Sequence, residues 1–193
     1  MTAARLNARD LALIASFAAL IAALGLPGAL SVGGSVPVTL QTLGVMLAGS
    51  VLGWRRGALA VITFLVLVAV GLPLLAGGRG GLAVFVGPSA GYLIGWVLGA
   101  GVIGWLVERR LPRVPTWWFG VANVVGGIGV IYAIGIPIQA LITGTSGLVA
   151  TMVAAAVYLP GDAIKVILAT VIAAGVHRAY PQLLTPQVRS QST

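Results

Sequence analysis

The chain contains no cysteine, one histidine and three acidic residues among 193. Without cysteine there is no disulfide framework and no thiolate metal site. A single histidine and three acids leave little for a metal site of any other kind. Charged residues make up 7% of the sequence, against roughly 25% in a soluble domain. Hydrophobic residues reach 59%, and mean hydropathy is +1.10. That balance excludes a water-soluble fold and describes an integral membrane protein. At this length it forms one compact bundle, with no room for a second soluble domain.

Other absences narrow the function. There is no Ser–His–acid set with plausible placement. His177 sits beside Arg178 and reads as an interfacial residue, while Asp10 and Glu108 both flank basic residues. An enzyme is therefore not expected. No stretch matches GxxxxGK[ST], so the chain does not bind and hydrolyse ATP by that route. No internal repeat is evident, which disfavours the inverted-repeat architecture of secondary transporters.

What is present is a set of long apolar runs. A membrane helix needs about 20 apolar residues. Runs of that kind are Leu11 to Pro27, Val36 to Gly53, Ala58 to Leu75, Pro88 to Val107 and Trp117 to about Ile138. The stretch Leu148 to Val176 is longer than one span. Pro160 and Gly161 break it, and Asp162 is a good N-cap for a final helix. The expectation is an all-α membrane protein, a bundle of six transmembrane helices over residues 1–179, followed by a polar tail, 180–193.

The net charge of +8 acts here as an orientation signal rather than a nucleic-acid surface. Six spans put nine arginines on one side: Arg5, Arg9, Arg55, Arg56, Arg109, Arg110, Arg113, Arg178 and Arg189. Arg79 alone lies on the other. The positive-inside rule then makes both termini cytoplasmic, in a multi-pass protein of the cell membrane. Helix 1 has arginines before an apolar core, as a signal peptide does. Asp10 interrupts that flank and the apolar run is long for a cleaved segment.

Several features could carry function, each beside a plainer reading. Ala15, Ala19 and Ala23 recur every fourth residue, with Ala18 and Ala22 as a second row. Such rows allow close backbone approach, within the bundle or against another membrane protein. Gly91, Gly95 and Gly99 share the spacing, and internal packing is the stronger reading there. Gly77, Gly78, Gly80 and Gly81 flank Arg79, which is either a solvated arginine or a bidentate clamp for a carboxylate. Asp162 and Lys165 are three residues apart, so they share one helix face. Charges at membrane depth face a cavity or one another. The pair is either a neutralised structural unit or a polar-ligand site. Gln41, Asn123 and Gln139 are candidate polar partners, whereas Thr39 and Thr42 are weak evidence. Tyr92, Trp96 and Tyr158 could stack on a flat ligand. Trp54, Trp105, Trp117 and Trp118 read as an interfacial belt.

Three stretches together resemble the BioY family: VPVTLQTLGVMLAG, GLPLLAGGRGGLAVFVGPSAGYLIGW and LPGDAIK. The likeness covers nearly the whole chain. It implies the biotin-binding membrane subunit of an energy-coupling factor (ECF) vitamin transporter. Such a subunit captures biotin near the outer surface, with biotin as transported ligand and no cofactor. Its implied partners are a transmembrane coupling subunit and two cytoplasmic ATPases, with toppling in the membrane as the transport step. The resemblance places Asp162 and Lys165 in the ligand site and Arg79 in the covering loop. It makes Ala15, Ala19 and Ala23 the face that meets the coupling subunit. Biotin has two ureido N–H donors and a carbonyl, a flat thioether ring and a carboxylate. Asp162 suits the ureido N–H groups, and Lys165 and Arg79 suit anionic or carbonyl oxygens. Tyr92 and Tyr158 suit the rings, with Gln41 a further polar contact. A self-sufficient carrier for a small carboxylate and a ligand-free assembly protein are the competing classes.

Overall fold

The computed structural model describes residues 6–28, 39–144 and 147–181. The start of the second expected run (36–38), Arg5, Arg189 and nearly all of the expected tail lie outside them. Among the described residues there are seven α-helices and no strand beyond a single bridge. Four helical stretches are long and apolar enough to cross a membrane: Gln41–Ala69, Ala90–Glu108, Thr116–Thr143 and Leu148–Ala179.

Helix α1 is Ala8–Ala23. It starts earlier than the apolar pattern suggests because Asn7 caps it. Asn7 Oδ1 accepts from the Asp10 N–H at 2.8 Å, and Asp10 Oδ2 accepts from the Asn7 N–H at 3.1 Å. This reciprocal pair satisfies two otherwise orphaned donors.

Helix α2, Gln41–Ala69, is a hairpin. Gly53 adopts φ 81°, a region closed to most side chains. A Cβ added at Gly57 would stand 2.7 Å from the Ala48 carbonyl oxygen. Nine residues of straight helix would separate those positions by about 13 Å, so the chain reverses at Gly53. The expected linker at Arg55 and Arg56 is thereby corrected: one glycine makes the turn, and both arginines lie in the helix that follows. The second limb also ends before Leu75, because Gly71 takes φ 106° and Pro73 follows.

Helix α3, Ala90–Glu108, closes over the hairpin. A Cβ at Gly104 would lie 2.2 Å from the Gly53 carbonyl carbon, and Glu108 Oε1 accepts from the Trp54 N–H at 3.0 Å. Asp10 pairs with Arg56 at 3.2 Å. The start of α1, the hairpin turn and the end of α3 therefore share one end of the bundle.

Helix α4, Thr116–Val124, passes through a π-helical segment, Val125–Val130, into α5, Ile131–Thr143. The run continues beyond Ile138 to Gly144, whose φ of 60° suits a helix C-cap. The Gly91–Gly95–Gly99 row packs here: a Cβ at Gly95 would be 3.0 Å from Ile131 Cα, and one at Gly99 2.7 Å from the Gly126 carbonyl oxygen.

Helix α6, Leu148–Ala155, leads through a 3₁₀ turn, Ala156–Tyr158, into α7, Leu159–Ala179. The expected break at Pro160–Gly161 is therefore a helix start. Proline costs little in the first turn, where its missing N–H has no intrahelical partner. Asp162 lies inside that first turn and is not the N-cap. The outward face of α7 is apolar, with Ile164, Ile167, Val171 and Ile172 exposed, as a lipid-facing helix requires.

Candidate functional site

The Asp162–Lys165 pair is buried, each residue 5% exposed. Lys165 Nζ donates to Asp162 Oδ1 at 2.9 Å and to Thr42 Oγ1 at 2.9 Å. The Tyr132 hydroxyl donates to Asp162 Oδ2 at 2.5 Å. Three elements thus meet on two charges: the first turns of α7, the start of α2 and the start of α5. Each arrives for a local reason. The i, i+3 spacing puts both charges on one helix face. Thr42 lies in the first turn of α2, and Tyr132 is the second residue after the π segment, which shifts the helical register by one residue.

The arrangement keeps binding capacity in reserve. Each carboxylate oxygen accepts one bond and retains a lone pair. The ammonium has three protons, two of which are directed at protein acceptors. A ligand presenting N–H donors beside an oxygen would find both partners without breaking the pair.

Aromatic rings wall this centre. Tyr92 and Tyr132 meet edge to face at 6.1 Å, and the Tyr92 hydroxyl donates to Gln139 Oε1 at 2.8 Å. Tyr92, Trp96 and Tyr158 are buried in one cluster, with Tyr132 packed against it. A cavity of 470 Å³ runs beside it, between the π segment and α5 on one side and α6 and the start of α7 on the other. Tyr132 lines it, together with Met152 and Leu159. The volume falls in the range of about 300–1,000 Å³ typical of small-molecule sites.

Gln41 and Arg79 belong to a second centre. Gln41 is 1% exposed. Its Nε2 donates to the carbonyls of Ile21 at 3.2 Å and Leu74 at 3.0 Å, and its Oε1 accepts from the Ala76 N–H at 3.0 Å. It pins the end of α1 to the loop after α2. Leu75 and Arg79 close a tight turn in that loop, bonding at 3.0 and 3.2 Å across Gly77 and Gly78. Arg79 is half-buried, and Nε donates to the Ala76 carbonyl at 3.2 Å. Asn123 lies elsewhere again, accepting from the Ser50 hydroxyl at 2.9 Å.

The comparisons with known proteins bear on this geometry. The family model of the BioY family matches residues 1–182. The chain belongs to the BioY family. A relative named biotin transporter BioY from Rhizobium etli is 48% identical over 184 residues, covering 92% of this chain and 98% of its own. Another so named, from Rhodobacter capsulatus, is 48% identical over 185 residues, covering 91% and 97%. A crystal structure of the S-component for biotin from an ECF-type ABC transporter superposes with a TM-score of 0.85 at 30% identity. That match covers 90% of this chain and 95% of the other.

In this BioY chain Asp162, Lys165, Tyr92 and Tyr158 converge, and Gln41 with Arg79 stands apart at the loop. Ala15, Ala19 and Ala23 are exposed along α1, whereas Ala18 is buried. Two contributors escaped the sequence reading. Tyr132 stands alone in an aliphatic run, and its only signal is the seven-residue spacing to Gln139, which places the two on one helix face. Thr42 carried a signal too weak to separate it from any other membrane threonine.

Proposed function

We propose that this chain binds biotin in the membrane for import, as the substrate-binding component of an ECF-type transporter. The carrying observation is the buried Asp162–Lys165 pair with its remaining acceptor and donor capacity. Asp162 receives the ureido N–H groups, and Lys165 meets an oxygen of the ligand. The rings of Tyr92, Tyr132 and Tyr158 enclose the bicycle, with the tail toward Arg79. Family membership supports a transport component rather than an enzyme, with biotin as cargo.

The finer reading has six crossings, the hairpin at Gly53 supplying two. Both termini are cytoplasmic in the cell membrane. The partners are a transmembrane coupling subunit and cytoplasmic ATPases, met through Ala15, Ala19 and Ala23. The exposure of that row supports the docking role. Helix α6 packs chiefly on α5, so it is the element that can yield most easily to admit ligand.

Calorimetric titration of biotin into the purified protein in detergent tests the reading. Saturable binding at one site per chain is expected. A folded protein that takes up no biotin overturns it.

A further inference from the structure

The arginine-rich end of the bundle holds a separate cavity of 370 Å³. The α3–α4 connection, the first turn of α4 and the last turn of α7 line it. Arg113, His177 and Arg178 border it, and no acidic side chain does. The three acidic side chains of the sequence are all engaged elsewhere: Asp10 with Arg56, Glu108 with the Trp54 N–H, and Asp162 with Lys165. No side-chain carboxylate of the chain is therefore left to neutralise the two guanidinium charges of this cavity.

The groups are held in place. Arg178 Nη2 donates to Thr116 Oγ1 at 3.0 Å, which ties the end of α7 to the start of α4. His177 Nε2 lies 2.9 Å from the Ser50 carbonyl oxygen, and its ring packs on Phe119 at 5.0 Å. A carbonyl can only accept, so Nε2 carries a proton. Phe119 and Leu111 supply apolar wall. The surroundings mark headgroup depth. Arg109 lies 3.6 Å over the Trp105 ring and Arg110 4.3 Å over the Trp118 ring, and tryptophans concentrate at the membrane–water boundary.

We propose that this cavity is a binding site for a phosphate ester anion, the group an anionic phospholipid headgroup presents. Guanidinium forks match phosphate oxygens with two parallel donors. Basic pockets between membrane helices take lipid headgroups in this way. The site is independent of the biotin reading, since none of its residues belongs to the Asp162 centre.

Native mass spectrometry of the purified protein titrated with phosphatidylglycerol tests the proposal. One retained lipid per chain is expected. Arg113→Gln/Arg178→Gln is expected to weaken retention about twenty-five-fold, about fivefold for each arginine. Arg109→Gln/Arg110→Gln removes the same charge at the same end and is expected to retain the lipid. Equal loss in both double variants means diffuse surface attraction and overturns the site, as does undiminished retention in the first. Should the first double variant not fold, Arg113→Gln alone, at an exposed position, gives the same comparison at about fivefold. Competition with glycerol 3-phosphate distinguishes the sources. Displacement assigns recognition to the phosphate alone, and persistence of bound lipid assigns it to the whole headgroup and chains.

Discussion

The Tyr132 hydroxyl bonds one oxygen of the Asp162 carboxylate, while Lys165 holds the other. The carboxylate is thus oriented from both sides, by a neutral donor on α5 and a charged one on α7. A buried carboxylate with a single partner could rotate; this one is fixed in plane and position. Tyr132→Phe removes only the neutral donor and keeps the ring contact with Tyr92. A hydrogen bond to a charged group contributes about 1.5–3 kcal/mol, so biotin affinity is expected to fall about ten- to a hundredfold. Calorimetry on folded protein reads this, and an unchanged affinity would remove Tyr132 from the site.

Asp162→Asn keeps the shape of the side chain but removes the counter-charge, leaving the Lys165 ammonium with only neutral acceptors, the Thr42 hydroxyl and the new amide oxygen. Breaking a buried pair on one side costs about 3–5 kcal/mol. The expected result is a lower melting temperature together with lost biotin binding. Asp162→Asn/Lys165→Met removes both charges and should recover much of the thermal stability, because no buried charge is left uncompensated. Binding should stay absent. Recovered binding in the double variant would make the pair structural only.

Gln41→Ala separates two roles for one amide. In the structure Gln41 satisfies three backbone groups, from Ile21, Leu74 and Ala76. Leaving buried groups unpaired costs about 1–3 kcal/mol each. The variant should melt earlier and be cut faster by protease in the loop around Gly77 and Gly78. Its biotin affinity should weaken only through that loosening. A variant with unchanged melting and protease resistance but lost affinity would place Gln41 on the ligand itself.

These cases show what could be read from residues alone. Asp162 and Lys165 stood out because charge is scarce in this chain and their spacing fixes a common helix face. The hairpin at Gly53 could not be placed, since a sequence with 28 glycines does not mark which one takes a positive φ. Pro160 misled for a related reason: proline ends one helix and begins another with equal ease, and only the preceding 3₁₀ turn decides between them. Tyr132 was hidden by register. A π segment displaces every side chain after it by one position, and a periodicity count from Trp117 does not carry across it. Gln41 was visible as a buried amide, but an amide answers backbone groups as well as it answers a ligand.

The exposed row on α1 yields the last prediction. Ala15, Ala19 and Ala23 face outward, while Ala18 and Ile21 on the other face are buried against the bundle. A tryptophan at position 19 therefore points away from the described core and should not disturb the Asp162 centre. Against a partner helix it acts differently, because small-residue rows work by letting backbones approach closely. Ala19→Trp should bind biotin as the unaltered protein does, yet support little biotin uptake in cells expressing the coupling and ATPase subunits. Pull-down of the coupling subunit by the tagged variant should fall in parallel. If binding fails while the protein stays folded, the outward row acts on the site itself. If uptake persists, the partner docks elsewhere.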